Sequence, residues 1–136
     1  MGNYKSVWKS HWTHNEKPWG SEEMWFCMQS GFHGKILHIK KGERTSFKYH
    51  NLKDEVLMFL KGSADITYGN EKYSDDPVNY PILTEKYSVG DSLNVQSGCP
   101  YRIHALEDCT IIEIGNNNSD EPVRIEDDYG RVKHES

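Results

Sequence analysis

Three side chains within eight positions carry the groups from which metal sites and proton-transfer sites are built. They are Lys48, His50 and Glu55, in the stretch GERTSFKYHNLKDEVLMFLKG, residues 42–62, bracketed by Gly42 and Gly62. An imidazole and a carboxylate converging on one point suit Zn, Mn, Fe or Ni. A desolvated amine among polar groups suits acid–base work, and the same residues could equally form an inert wall. Geometry decides whether they meet. On a strand, residues two apart project to the same side, so Lys48 and His50 point together. NLKD (51–54) is turn-like and Glu55 opens the next strand, which places it beside His50 on an antiparallel neighbour about 4.8 Å away.

The rest of the chain supplies strands to hold them. Gly, Pro, Asn and Asp punctuate it about every ten residues, a spacing that suggests an all-β sandwich or small barrel. Aromatic or β-branched segments lie at 23–29, 35–41, 45–50, 55–62, 63–69, 92–96, 101–106 and 110–115. In SADITYG, Ala64, Ile66 and Tyr68 alternate with Asp65 and Thr67, the period of a half-buried strand. EVLMFL is apolar on both parities, as in a strand covered on both faces. No segment sustains a helical period. The 136 residues read as one domain, with an N-terminal extension at 1–18, a long loop at 70–87 and a C-terminal segment at 116–136. Blocks 42–62 and 90–105 read as two halves of one barrel.

Composition excludes several partners. The net charge is −5 with cationic and acidic residues interspersed, so no basic stripe offers itself to nucleic acid. No apolar run approaches the roughly 20 residues that span a bilayer, and the first twenty residues lack the apolar segment of a secretory signal. Cys27, Cys99 and Cys109 are odd in number and scattered, which reads as small buried residues of a reducing, cytoplasmic compartment.

The stretch 42–62 resembles the first cupin motif, G-x5-H-x-H-x4-E-x6-G, with Gly42, His50, Glu55 and Gly62 in register and Lys48 where the first histidine is expected. GDSLNVQSGCPYRIHA, from Gly90, is similar to the second motif, G-x5-P-x-G-x2-H-x3-N; Gly90 and Gly98 match, while Gln96, Tyr101 and Ala105 replace the proline, the histidine and the asparagine. EKPWGSEEMW near the start, GKILHIKKGERTSFKYH in the middle and YRIHALEDCTIIEIG…VRIEDDYGRV at the end resemble single-domain cupins related to type II mannose-6-phosphate isomerases, over roughly residues 16–132. The resemblance implies a double-stranded β-helix (cupin or jelly-roll barrel) of six to eight strands, commonly a homodimer. It also implies a sugar-phosphate or nucleotide-sugar ligand, and aldose–ketose isomerisation in mannose or cell-surface polysaccharide metabolism. In those isomerases a divalent metal polarises an open-chain sugar while a base moves a proton, and the arginine of the closing YGR, here Arg131, assists.

A full cupin site uses three histidines and a glutamate, of which His50 and Glu55 remain. A lysine ammonium at 48 repels a metal: two unit charges 4 Å apart cost about 4 kcal/mol at an effective dielectric of 20, and a divalent ion doubles that. The expectation is therefore a weakened or lost metal site, with a Lys48–Glu55 ion pair in its place. His104 faces away from Tyr101 on a regular strand, Leu37 and Ile39 compete with His38 for the interior, His11, His14 and His33 lie in loop-like context, and His134 is terminal. Lys48 with Tyr101 also reads as an acid–base pair of a metal-free isomerase or epimerase, because burial lowers a lysine pKa. Trp19 is a sugar platform or an aromatic plug. Arg124 and Arg131, amid Glu126, Asp127 and Asp128, are ion-pair partners or recognise a sugar phosphate. Arg102, after Tyr101, is expected outward in a surface ion pair. The alternative to an enzyme is a non-catalytic cupin that binds a sugar phosphate, a nucleotide sugar or another small ligand.

Overall fold

The computed structural model describes residues 4–27, 31–116 and 121–131, with the side chains of 26 and 27 left aside. It is all-β among these residues. The strands are β1 (Thr13–Lys17), β2 (Gly20–Cys27), β3 (Phe32–Ile39), β4 (Phe47–Tyr49), β5 (Glu55–Lys61), β6 (Ala64–Tyr68), β7 (Leu83–Tyr87), β8 (Ser92–Val95), β9 (Tyr101–Ala105), β10 (Cys109–Asn116) and β11 (Val123–Glu126). Two antiparallel sheets result, a six-stranded one in the order β1-β2-β3-β10-β5-β8 and a five-stranded one in the order β11-β4-β9-β6-β7. This is the double-stranded β-helix.

The two-residue period sorts the side chains. Leu57 and Phe59 of β5, Ile66 of β6, Ile103 of β9, Ile111 of β10 and Leu37 and Ile39 of β3 turn inward and are buried. Each such side chain stabilises the fold by about 1.5–3 kcal/mol on leaving water. The inward rows change character along the barrel. Ile111 lies opposite Phe59, Glu113 opposite Leu57, and Gly115 opposite Glu55. One end of the interior is therefore hydrocarbon and the other is ionic.

Gly62, which links β5 to β6, has φ +81°, and a Cβ there would stand 2.3 Å from the Asp108 carbonyl oxygen. Only glycine meets both demands without strain.

Several boundaries and the placements of His14, His33 and Arg102 differ from the sequence reading. β1 forms inside the presumed extension, β7 inside the presumed loop, and β11 in the C-terminal segment. β1 and β7 are almost wholly exposed, so neither shows an apolar alternation. The segment expected at 23–29 ends within the described residues at 27, and His134 lies outside them. Two histidines expected in loop-like context are on strands: His14 on β1, and His33 on β3, on the parity of Leu37 and Ile39. Arg102 makes its ion pair as expected but is buried, not on the surface. Its Nε donates to the Thr45 carbonyl at 2.8 Å and its Nη1 to Glu126 at 3.2 Å, tying β11 to β9 across β4 within the five-stranded sheet.

Candidate functional site

The ionic end of the barrel encloses a cavity of about 200 Å³. Lys48 reaches it from β4, in register with Tyr101 of β9 on one side and Arg124 of β11 on the other. Glu55 enters from β5 and Glu113 from β10. Trp19, His50, Lys53, Arg124 and Arg131 complete this part of the lining, and Lys17, Glu22 and Lys35 form a second group. Each residue singled out from the sequence (Lys48, Tyr101, Arg131, Trp19, Arg124, His50 and Glu55) thus borders one cavity. His38 and His104 do not. His38 turns outward to Glu23, 3.0 Å away.

A continuous polar chain crosses the cavity wall. Tyr101 OH donates to Glu55 Oε1 at 2.6 Å. Lys53 Nζ lies 3.0 Å from Glu55 Oε2 and 3.1 Å from Glu113 Oε2, and His33 Nε2 stands 3.5 Å from the same Glu113 oxygen. Lys53, Glu55 and Glu113 are only 7%, 6% and 5% exposed. Burial alone would push the Glu113 carboxyl up, but His33 and Lys53 turn the shift downward, well below the usual carboxylate range. The ammonium at 3.1 Å is the firmer partner, since 3.5 Å is long for a hydrogen bond. Lys53 is the converse case: burial lowers it, and Glu113 and Glu55 overcome that and hold it protonated. The ion pair expected between Lys48 and Glu55 is made by Lys53 instead.

Lys48 is left to a different environment. Its Nζ sits 5.2 Å from the centre of the Tyr101 ring, a cation–π distance. Burial pushes its pKa down to about 8 despite Glu55 and Glu113. Burial also raises the Tyr101 phenol well above its ordinary value, with the Glu55 charge adding to the effect, so Tyr101 remains a donor. Replacing Tyr101 with phenylalanine would leave Glu55 Oε1 without that donor. A loss of about 1–3 kcal/mol in denaturant-unfolding stability is expected.

At the mouth, Arg131 is clamped by Asp127: its Nε donates to Oδ2 at 2.9 Å, its Nη2 to Oδ1 at 3.1 Å and its backbone N–H to Oδ2 at 2.7 Å. Arg124 has a buried Nε with no hydrogen-bond partner among the described residues. In the second group, Glu22 lies between Lys17 and Lys35, 3.4 Å from each. Trp19 is 7% exposed and packs into the core cluster while edging the cavity, which fits a plug better than a freely accessible platform. Six cationic side chains face three carboxylates here, in a chain whose net charge is −5. Lys48 and Arg124 are the cationic side chains of this lining for which no carboxylate lies within salt-bridge distance among the described residues.

A divalent metal does not fit this donor set. Among the described residues no three His, Cys, Asp or Glu side chains come together as a metal site. Both oxygens of Glu55 are engaged, one by a phenol and one by an ammonium, and Lys48 and Lys53 place two cationic groups on the lining.

Sequence reasoning missed Lys53, Glu113, His33, Glu22, Lys35 and Lys17. The signal for Glu113 was available, because it shares the inward parity of Cys109 and Ile111; Lys35 likewise shares that of Leu37 and Ile39. Lys53 gave none, since it sits in a turn-like tetrapeptide and is drawn inward by two carboxylates from β5 and β10.

A jelly roll of two antiparallel sheets with a polar pocket at one end of its interior defines a cupin-fold protein. Oxalate decarboxylase from Bacillus subtilis superposes with a TM-score of 0.70 at 18% identity, over 84% of this chain and 30% of that one. CapF, solved with the inhibitor 3-isopropenyl-tropolone, gives 0.68 at 17%, over 82% and 32%. Structures of the decarboxylase include a study of its Mn(II) centres. Among curated proteins, the xanthan biosynthesis protein XanB of Xanthomonas campestris pv. campestris (strain B100) is 27% identical over 143 aligned positions, 97% of this chain. The chain spans 27% of that protein's length. No protein-family model matches.

Proposed function

We propose that this cupin binds a phosphorylated sugar and shifts a proton between adjacent carbons, an aldose–ketose isomerisation of the mannose-6-phosphate type that needs no metal. The observation that carries the reading is the cationic cavity, in which Lys48, Arg124 and Arg131 surround a space of about 200 Å³ walled by Tyr101 and Glu55. The likeness to a xanthan biosynthesis protein supports a place in the sugar chemistry of polysaccharides. Arg124 and Arg131 hold the phosphate. Lys48, as the neutral amine, removes the C2 proton of the open-chain aldose and returns it at C1, while the hydroxyl proton passes from O2 to O1. Nothing is oxidised or reduced overall, and product and substrate are isomers. Tyr101, fixed by Glu55, orients the sugar oxygens.

The test is conversion of mannose 6-phosphate to fructose 6-phosphate, run with a chelator and with added Zn or Mn. Turnover that ignores the chelator is expected; no turnover under any of these conditions rejects the isomerase. Arg124→Ala is expected to raise the dissociation constant for the sugar phosphate about tenfold, the scale of one charge-assisted contact, as measured by calorimetry. A second reading, a non-catalytic binder of a sugar phosphate or nucleotide sugar, is favoured by the saturation of Glu55 by Tyr101 and Lys53. Binding of either ligand without turnover selects it.

A further inference from the structure

The cavity lining holds four lysines, Lys17, Lys35, Lys48 and Lys53, and three of them have carboxylate partners. Lys17 and Lys35 each lie 3.4 Å from Glu22, and Lys53 bridges Glu55 and Glu113 at 3.0 and 3.1 Å. No carboxylate lies within salt-bridge distance of Lys48 among the described residues. An ammonium paired with a carboxylate is held protonated and has no lone pair to give. The lysine without such a partner is the nucleophile of the set.

The surroundings of Lys48 favour its free amine. Burial pushes its pKa down to about 8; Glu55 and Glu113 act against that, while Lys53 and Arg124 add to it. Arg124 is its register neighbour on β11. At pH 7.5 such a lysine holds roughly two orders of magnitude more free amine than an ordinary one. The Tyr101 ring supports the side chain at 5.2 Å from Nζ, and its hydroxyl is committed to Glu55. Lys48 borders the cavity and is half-buried rather than sealed in the wall.

We propose that Lys48 is an imine-forming residue: its Nζ condenses with the carbonyl carbon of an open-chain phosphorylated ketone or aldehyde whose phosphate is held by Arg124 and Arg131. The inference rests on the phosphate end of the reading above and is independent of the proton shift. The nitrogen lone pair forms a C–N bond as the carbonyl π pair moves to oxygen, and a proton passes from nitrogen to that oxygen to give a carbinolamine. The C–O bond then breaks, the oxygen leaves as water with both amine hydrogens, and a C=N bond remains. Nothing is oxidised or reduced. An imine draws electrons from the adjacent carbon, so the reaction it serves makes or breaks a bond next to the carbonyl. A lysine so engaged has no lone pair for the C2 proton, and one turnover uses it either as nucleophile or as base.

The probe that tests this is dihydroxyacetone phosphate, an open-chain ketone, added to the full chain with cyanoborohydride, which reduces an imine to a stable secondary amine. Mass spectrometry of the digested protein locates the adduct. One adduct at Lys48 is expected, formed at pH 7.5 about 100-fold faster than at surface lysines, with a rate that climbs through pH 8. Dihydroxyacetone without the phosphate, and Arg124→Ala with the phosphorylated probe, should each label about tenfold more slowly. Lys48→Arg keeps the charge and should take no label at that position. Labelling confined to surface lysines overturns the proposal and leaves the phosphate site to its calorimetric test. Labelling of Lys48 that ignores the phosphate overturns both. Isomerase turnover is read separately: turnover with no adduct rejects the imine alone, and an adduct with no turnover supports the imine and rejects the proton shift.

Discussion

Lys53→Met should lower stability at pH 7 by about 3–5 kcal/mol, the usual cost of leaving a buried charge uncompensated, and the melting temperature by roughly 10–20 °C. The cause is specific. The Lys53 ammonium is the shared counter-ion of two buried carboxylates, 3.0 Å from Glu55 and 3.1 Å from Glu113. Methionine fills similar space but leaves two anions facing each other. The pH dependence has a definite sign. In the natural chain Glu113 is held below its unfolded value, so its contribution is complete above the unfolded carboxylate pKa, near 4.3, and is lost as pH falls below it. In the variant Glu113 loses the ammonium that lowers it and burial acts unopposed by that charge, so the difference between the two proteins is widest near neutrality and narrows toward pH 4. Adding Glu113→Gln to Lys53→Met should recover part of the loss. Calorimetric unfolding at pH 7 and pH 4 measures all of this, and a loss under 1 kcal/mol at pH 7 would mean that the ammonium is not the counter-ion described.

Lys48→Met should do the reverse: gain stability and lose activity. Turnover of the sugar phosphate is expected to fall by about 10²–10⁴-fold, the contribution of a positioned proton-transfer group. Stability should rise because burial pushes Lys48 down to about 8 from 10.5, so folding disfavours its charged form. Below pH 8 the natural chain carries that penalty in full. Between pH 8 and 10.5 the folded state sheds the proton before the unfolded state does, and its stability climbs toward that of the variant. The stability advantage of methionine is thus largest below pH 8 and gone by 10.5. A merely structural lysine would lose stability on replacement. Isomerase assays beside thermal melts across this pH range separate the two roles.

The strands with clear patterning were legible, because a two-residue period in SADITYG or TIIEIG translates directly into an inner and an outer face. β1 and β7 were not, since both are exposed edge strands that carry no apolar signal. The cavity residues around β4 and β5 could be read from spacing alone, Lys48 with His50 by parity and Glu55 by its place after the turn, whereas Tyr101 on β9 was reached only through the resemblance to the second cupin motif. The partner of Glu55 could not. Lys48 and Lys53 are indistinguishable as residue types, and which of them reaches the carboxylate is fixed by Glu113, a group that arrives from a strand some sixty positions later.

β11 is the edge strand of its sheet and joins it through a short, bulged pairing with β4. Arg102 to Glu126 and Tyr129 to Glu43 supply much of what fastens this segment. Such a strand can open locally at far less free energy than global unfolding requires, and it carries Arg124 and precedes Arg131. If the proposed sugar phosphate bridges Lys48 to those two guanidiniums, it ties this hem to the barrel, and occupancy would be registered first as resistance of the segment around Arg124 to proteolytic nicking, while the hydrocarbon floor beneath stays indifferent.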